Sequence, residues 1–236
     1  MNTVITIAKK ELASYFNSAI AYIFFTLFLT ILSFLFFRVY FLVGRVSVTQ
    51  FFSFIPWVFL IFIPAITMKS WAEEKKTGTL EVLLSMPLTD TQLVIGKALS
   101  STLFTFIALA LSLIVPLLVS LTGNLDWGPV WSSYFGAALL AASYVAIGSF
   151  VSSTTKNQVS AFLITSVIIL VFLLIGIEPV YSIFPTYMAE FIKGLSLNFH
   201  FQSLGRGVVD SRDVIYYLSI IGIFLFANVK SLESRN

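Results

Sequence analysis

The residues of this chain that could do chemistry are few, and their spacing does not assemble a reaction centre. The 236 residues include one histidine, His200, and no cysteine, which excludes thiolate nucleophiles, disulfides and cysteine-based zinc or iron-sulfur sites. A serine nucleophile would need a base within hydrogen-bond reach, but Ser149, Ser152 and Ser153 lie on the other side of the membrane from His200 in the topology predicted below. We therefore expect no catalytic and no metal-binding residues, and we interpret His200 as an interfacial polar residue.

Two glycine-containing fragments resemble nucleotide-binding motifs, and both are incomplete. A phosphate loop places glycine five residues before its Gly-Lys pair and serine or threonine directly after the pair. Here Thr91 occupies the first position and Ala98 follows Gly96-Lys97. Gly205-Arg206-Gly207 is too short for a dinucleotide fingerprint and is typical of a turn. We expect no cofactor in this chain, and any ATPase must be another chain.

The composition is that of a membrane protein. Hydrophobic residues make up 58% of the chain and charged residues 11%, and the mean hydropathy is +0.97, whereas soluble domains are roughly a quarter charged. Six runs free of charge and histidine approach the roughly 20 residues that a membrane-spanning helix needs. They are 20–37, 51–68, 98–121, 131–151, 159–177 and 214–229. We predict an all-α polytopic membrane protein with six transmembrane helices in a single domain, 1–236.

The content of these runs bears on mechanism and packing. Transporters driven by protons or sodium usually carry ionisable groups inside the membrane, and none occurs in these runs. Small residues in the fourth run, such as Ala138, Ala142 and Ala146, allow close helix packing, either within one bundle or between two copies. Pro56, Pro64 and Pro116 fall inside runs, where proline can kink a helix.

The charged residues favour cytoplasmic N- and C-termini. With this orientation nine Lys and Arg residues face the cytoplasm and five face outward, which follows the positive-inside rule. The net charge of +3 therefore indicates membrane orientation rather than nucleic-acid binding. Before the first run, 3–16 places apolar residues on one side and Lys9 and Lys10 on the other. This pattern predicts an interfacial helix on the membrane surface within 1–18.

The connection 69–97, cytoplasmic in this orientation, is longer than a turn requires. A short helix is predicted to begin at 77–79, with Glu81 in its first turn and Leu80, Leu83 and Leu84 on one face. Pro87 should end it, and Thr89 with Gln92 matches the capping box of a following helix. An apolar face on a surface helix favours docking to a partner. The alternative is a surface helix that packs only on its own bundle.

The connection 178–213 is predicted to lie outside. Residues 188–195 and 197–204 have helical apolar spacing, and Gly194 and Gly205 separate them. We expect two short amphipathic helices that enter the outer leaflet and turn back to form an outer lid, with Lys193, His200 and Arg206 facing outward to a partner or a lipid headgroup. The alternative is an unstructured loop. The residues assigned to the lid are Met188, Phe191, Ile192, His200, Phe201 and Arg206.

Two stretches resemble a known family. The string EEKKTGTLEVLLSMP resembles the cytoplasmic coupling-helix motif of ABC-2 type permeases, the membrane subunits of a large class of ABC transporters. LSLNFHFQSLGRGVVDSRDVIYYLSIIGIFLF is similar to the gliding-motility-associated (GldF-like) and copper-enzyme-maturation (NosY-like) branch. The resemblance covers nearly the whole chain. It implies an ABC-2 permease fold with a coupling helix and re-entrant outer helices.

The resemblance also implies partners and sites. The coupling helix would dock into a separate ATPase subunit that holds ATP and Mg, and two permease copies, or this chain and a related permease, would form a dimer in the bacterial inner membrane. A periplasmic or second membrane protein and membrane lipid are further expected partners. The alternative is a passive channel or a membrane anchor that recruits proteins. The docking role falls on Glu73, Glu74, Lys76, Gly78, Thr79, Glu81, Leu83, Leu84 and Pro87.

Overall fold

The computed structural model describes residues 3–43, 48–85, 87–207 and 209–234, without the side chains of Ile20, Val43, Val82, Leu84 and Thr186. Expectations that concern Arg45, Met86, Arg235 or the Leu84 side chain lie outside this part. Within it every regular element is a helix. The helices are α1 Thr3–Phe16, α2 Ala19–Val43, α3 Thr49–Thr67, α4 Lys69–Thr77, α5 Thr79–Leu84, α6 Asp90–Ser112, α7 Ile114–Ser120, α8 Trp127–Thr154, α9 Gln158–Leu174, α10 Glu178–Tyr181, α11 Thr186–Gly194, α12 Leu197–Leu204 and α13 Ser211–Glu233.

The all-α polytopic fold is confirmed. Among the described residues, five helical stretches are long and apolar enough to cross a membrane: Ala21–Leu42, Thr49–Thr77, Asp90–Ser120, Trp127–Thr154 and Ser211–Glu233. The predicted span 159–177 corresponds to α9, whose 17 residues rise about 26 Å against a hydrocarbon core of about 30 Å. The six-span count therefore stays a prediction.

The end of α9 shows why the predicted run is longer than the helix. A Cβ added to Gly176 would lie 2.1 Å from the Ser196 Oγ, and that hydroxyl donates to the Phe172 carbonyl at 3.0 Å. The chain therefore turns at Gly176, where the loop before α12 lies directly against its backbone.

Helix α8 is the centre of the bundle and contacts α3, α4, α6, α9, α12 and α13. Its small residues are used inside the chain, since Gly136 lies against Leu204 and Gly148 against Thr67. Of the alanines spaced every fourth residue, Ala146 is buried, whereas Ala138 and Ala142 are half-buried. Packing within one bundle thus accounts for most of this small-residue face.

Proline breaks the predicted third span. Pro116 has no N–H to donate to the Ser112 carbonyl, four residues earlier, and the helix is interrupted at Leu113 between α6 and α7. Pro56 and Pro64 lie inside α3, which continues through both.

Helix α1 has the predicted bounds and sidedness. Lys9 and Lys10 are exposed, whereas Ala8 is buried. The apolar side packs along α6, where the Tyr15 and Phe104 ring centroids are 4.9 Å apart. The helix is therefore joined to the bundle through the face that was predicted to meet the membrane.

Candidate coupling site and outer segment

The chain turns sharply where α4 meets α5, and we call residues 69–85 the α4–α5 corner. Gly78 joins the two helices with φ of +73°, in the left-handed region, where glycine carries no Cβ penalty. A Cβ there would meet no atom within 4 Å, so backbone conformation and not space favours glycine. The sequence predicted α5 but not α4. The helix breaks at Met68, and the charged residues 73–76 do not indicate that a helix resumes after that break.

The apolar face of α5 packs on this chain. Leu80 is 7% exposed and lies in a cluster with Trp71, Leu93 and Leu232, against which Leu83 packs while partly exposed. The expectation of a free apolar docking face is therefore wrong for Leu80 and holds only in part for Leu83. The alternative of packing on its own bundle is correct for Leu80.

The surface left open at the corner is polar. The predicted docking residues that are exposed are Glu73, Lys76, Gly78, Thr79, Glu81 and Pro87. Glu74 does not belong to this exposed set, because its carboxylate is turned inward and pairs with Lys97. Among the described side chains, a partner at this corner would meet mainly charges and hydroxyl groups, with Leu83 partly exposed beside them.

Lys97 forms a buried ion network that the sequence did not reveal. Its side chain is 4% exposed, and its Nζ lies 2.6 Å from the Glu74 Oε1 and 3.3 Å from the Glu11 Oε1. It also donates to the Ser70 carbonyl at 3.0 Å. Two carboxylates and a carbonyl around one ammonium satisfy its charge and donors. The network joins α1, α4 and α6.

The beginning of α4 is also fastened to the end of α8. The Ser152 hydroxyl donates to the Met68 carbonyl and accepts from the N–H groups of Trp71 and Ala72, each at 3.1 Å. Lys75 donates to the Ser153 carbonyl. Of the three serines considered above as nucleophiles, Ser152 thus binds backbone groups freed where α3 ends, which is a structural role.

Near this network, Tyr15 of α1 contacts Ser101 of α6 at 3.2 Å between hydroxyl oxygens. Burial raises the pKa of Tyr15 to about 12, because removal from water disfavours the phenolate. The phenol is therefore neutral at physiological pH and acts as a hydrogen-bonding group.

The two predicted helices of the 178–213 connection are confirmed as α11 and α12. Gly194 is the last residue of α11, and Gly205 caps α12. The predicted lid residues have different environments. Phe201 is buried with Leu197 and Leu204 against the bundle, whereas Phe191 of α11 is 69% exposed. Met188 and Arg206 are exposed, and Ile192 is half-buried.

His200 does not face outward, which corrects the prediction. Its side chain is 12% exposed, with Nδ1 2.6 Å from the Asp213 Oδ1 and Nε2 2.9 Å from the Gly194 carbonyl. The ring stacks on Tyr216 with centroids 3.9 Å apart. Asp213 is buried as well. His200 therefore ties the end of α11 and helix α12 to α13.

A cleft of about 760 Å³ opens beside this segment. It lies between the beginning of α3, the end of α9 and helices α10 to α12, and Lys193 and Arg206 are among its lining residues. The cleft and the α4–α5 corner are at opposite ends of the bundle. Gly136 contacts α12 and Ser152 contacts the corner, and these residues are about 24 Å apart along α8.

Among the described residues, the bundle contains five helical stretches that are long and apolar enough to cross a membrane. The family model described as ABC-2 family transporter protein matches residues 44–227. The chain therefore belongs to the ABC-2 transporter family and is a multi-pass membrane permease subunit. A search of curated proteins gave no match.

Proposed function

We propose that this chain is the membrane subunit of an ATP-driven ABC transporter, and that a separate ATPase subunit, with its ATP and Mg, docks on the α4–α5 corner. The family to which the chain belongs implies an ATPase partner. The corner supports this role because it exposes charged and hydroxyl-bearing residues at one end of the bundle. We assign partner contact to its exposed residues Glu73, Lys76, Gly78, Thr79 and Glu81, and to Pro87 just after the corner.

The observation that carries the proposal is how firmly this exposed corner is fastened to the membrane helices. Lys97 links α4 to α1 and α6, Ser152 links it to α8, and the cluster around Trp71 and Leu80 reaches α13. A displacement of the corner by a docked ATPase would therefore move four helices together. In this scheme Glu74 and Leu83 hold the corner in position, and Leu84 retains the docking role that the family motif suggests.

The same proposal includes the assembly. Two permease copies, or this chain and a related permease, pair over two ATPase subunits in the bacterial inner membrane, with both termini in the cytoplasm. The α10–α12 segment then lies outside as a lid where a periplasmic or second membrane protein binds. The similarity to gliding-motility-associated and copper-enzyme-maturation permeases favours transmission of force to such a partner, or export, as the output.

Reversal of one exposed charge tests the docking. Glu81→Arg should leave the permease inserted and folded but reduce co-purification with its ATPase. A charge of the wrong sign at the edge of an interface is unfavourable beside the partner's charges, and this weakens association. We expect about a tenfold loss of affinity and a matching loss of permease-stimulated ATP hydrolysis. The matched control is Glu190→Arg, the same reversal at an exposed position of α11, which should change neither.

Equal co-purification and equal ATP hydrolysis for Glu81→Arg and the unsubstituted chain would contradict docking at the corner. ATP-independent solute flux through the purified permease would instead support the passive channel.

A further inference from the structure

We propose that the cleft between α3 and the α10–α12 segment binds a phospholipid with an anionic, hydroxyl-bearing headgroup, such as phosphatidylglycerol. This inference is independent of ATPase docking, since it concerns the end of the bundle opposite the α4–α5 corner. It rests on the charges, the polarity gradient and the surroundings of the cleft.

Two cations of the cleft lack a carboxylate partner. Among the described residues neither Lys193 nor Arg206 has a carboxylate oxygen within 4.0 Å. The Lys193 ammonium lies over the rings of Phe199, at 4.6 Å, and Tyr181, at 5.5 Å. Those contacts hold the ammonium in place without neutralising it. Both cations line one cleft and are free to meet a phosphate.

The remaining polar groups fit the rest of such a headgroup. The cleft is also lined by Glu178, Asn198 and Gln202. Two cations and one carboxylate leave a net charge of +1, which suits a singly charged phosphodiester better than a zwitterionic headgroup. Glu178 can accept hydrogen bonds from headgroup hydroxyls, and the two amides can both donate and accept.

The wall of the cleft that α3 forms changes from hydroxyl groups to an indole along the helix. Thr49, Ser53 and Trp57 line it along one face of α3, and they span about 12 Å. The two hydroxyls are nearest the beginning of α3, where Phe52 also contributes to the wall, and the Trp57 indole lies about one turn beyond Ser53 and is 39% exposed. Hydroxyls at one end of this wall and an indole at the other match the order of headgroup and acyl chain in a lipid.

The surroundings of the cleft indicate that it opens toward lipid. Ile183, Tyr187 and Phe191 on the adjoining α10–α11 stretch are exposed, and large apolar side chains next to a membrane-spanning bundle are expected to contact the acyl region or its interface. A lipid of the adjacent leaflet can therefore enter without crossing the bundle.

The test is quenching of Trp57 fluorescence by brominated lipid. The purified full-length permease is placed in phosphatidylcholine vesicles that contain either brominated phosphatidylglycerol or brominated phosphatidylcholine. The Trp57 signal is the difference between the unsubstituted chain and Trp57→Phe, which removes the contribution of the other three tryptophans. We expect brominated phosphatidylglycerol to quench Trp57 with about tenfold higher apparent affinity, as two basic residues at a headgroup would give.

Charge-removing variants identify the site. Lys193→Gln and Arg206→Gln should each lower the phosphatidylglycerol preference about fivefold, and Arg206 is exposed, so its replacement does not disturb packing. The matched control is Arg212→Gln, an exposed cation in the first turn of α13 that does not line the cleft. It should leave the preference unchanged.

Three results of these quenching experiments would overturn the proposal. The first is equal quenching by the two lipids, and the second is an effect of Arg212→Gln as large as that of Arg206→Gln. The third is abolition of the preference by inorganic phosphate, but not by chloride at the same ionic strength, which would assign the site to a free anion. If Ser53→Cys in this cysteine-free chain forms a disulfide-linked dimer in membranes, a second copy and not lipid occupies the cleft.

Discussion

Gly96 and Lys97 show how two adjacent residues can serve the fold. A Cβ on Gly96 would lie 2.7 Å from the Ile7 Cγ2, so glycine lets α1 approach α6 closely. Lys97 then reaches Glu11 of α1 and Glu74 of α4. The pair that fails as a phosphate loop is therefore the joint between the N-terminal helix and the α4–α5 corner.

Replacement of Lys97 should show how much the ion network contributes to the stability of the fold. In Lys97→Met, Glu11 and Glu74 lose their partner while remaining mostly buried, so the free energy of unfolding should fall by about 3 kcal/mol. Thermal and denaturant unfolding of the purified permease in mild detergent would measure it. Lys10→Met, at an exposed position of α1, should change stability by less than about 0.5 kcal/mol.

A second substitution separates charge from packing. Glu74→Gln in the Lys97→Met background should recover part of the lost stability, because the buried negative charge is removed. Equal stability of Lys97→Met and Lys10→Met would show that the network contributes nothing to the joint.

At the scale of helices, α8 is the element on which the others depend. It packs on α3 at Gly148 and on α12 at Gly136, and its end holds the beginning of α4 through Ser152. These contacts require small residues at fixed positions, since helix backbones approach closely only where side chains are small.

Gly148→Ala tests the α3–α8 contact. The added Cβ would lie 2.1 Å from the Thr67 Oγ1 and 2.8 Å from the Thr67 Cβ, so the helices must separate or Thr67 must move. We expect a loss of about 1–3 kcal/mol, measured as the unfolding midpoint in detergent. Gly222→Ala, where a Cβ meets no atom within 4 Å, should instead stabilise α13 by up to about 1 kcal/mol. A Gly148→Ala midpoint at or above that of the unsubstituted chain would disprove the close contact.

The whole molecule has two dissimilar ends. One end carries the α4–α5 corner, fastened by Lys97 and Ser152, and the other carries the α10–α12 segment, fastened by His200 and Asp213. Because α8 contributes to both, a displacement at the corner can reach the other end through a single packed helix.

The absence of native cysteine makes the orientation of these ends directly measurable. Asn124→Cys, between α7 and α8, should react with a membrane-impermeant thiol reagent in intact cells. Lys156→Cys, between α8 and α9, should react only after permeabilisation. Both positions are exposed, so accessibility of the side chain does not limit either reaction. The opposite labelling pattern would invert the proposed topology and remove the corner from the cytoplasmic side.

Much of this architecture follows from the sequence alone. The charge-free runs predict the membrane helices, because a charged group inside a bilayer costs several kcal/mol. Local signals also sufficed for α1, for the capping box of Thr89 and Gln92, and for the α11 and α12 helices that Gly194 and Gly205 delimit. Each of these features depends on neighbours within one or two helical turns.

Only the tertiary structure decided which faces are occupied and which polar groups are paired. The apolar spacing of Leu80 and Leu83 is the same whether the face meets a partner or this bundle, and the cluster with Trp71 and Leu232 selects the bundle. His200 was expected outside because nothing nearby in sequence shows that Asp213 and the Gly194 carbonyl converge on its ring. Such pairings join residues distant in the chain, and their energy comes from burial that periodicity does not encode.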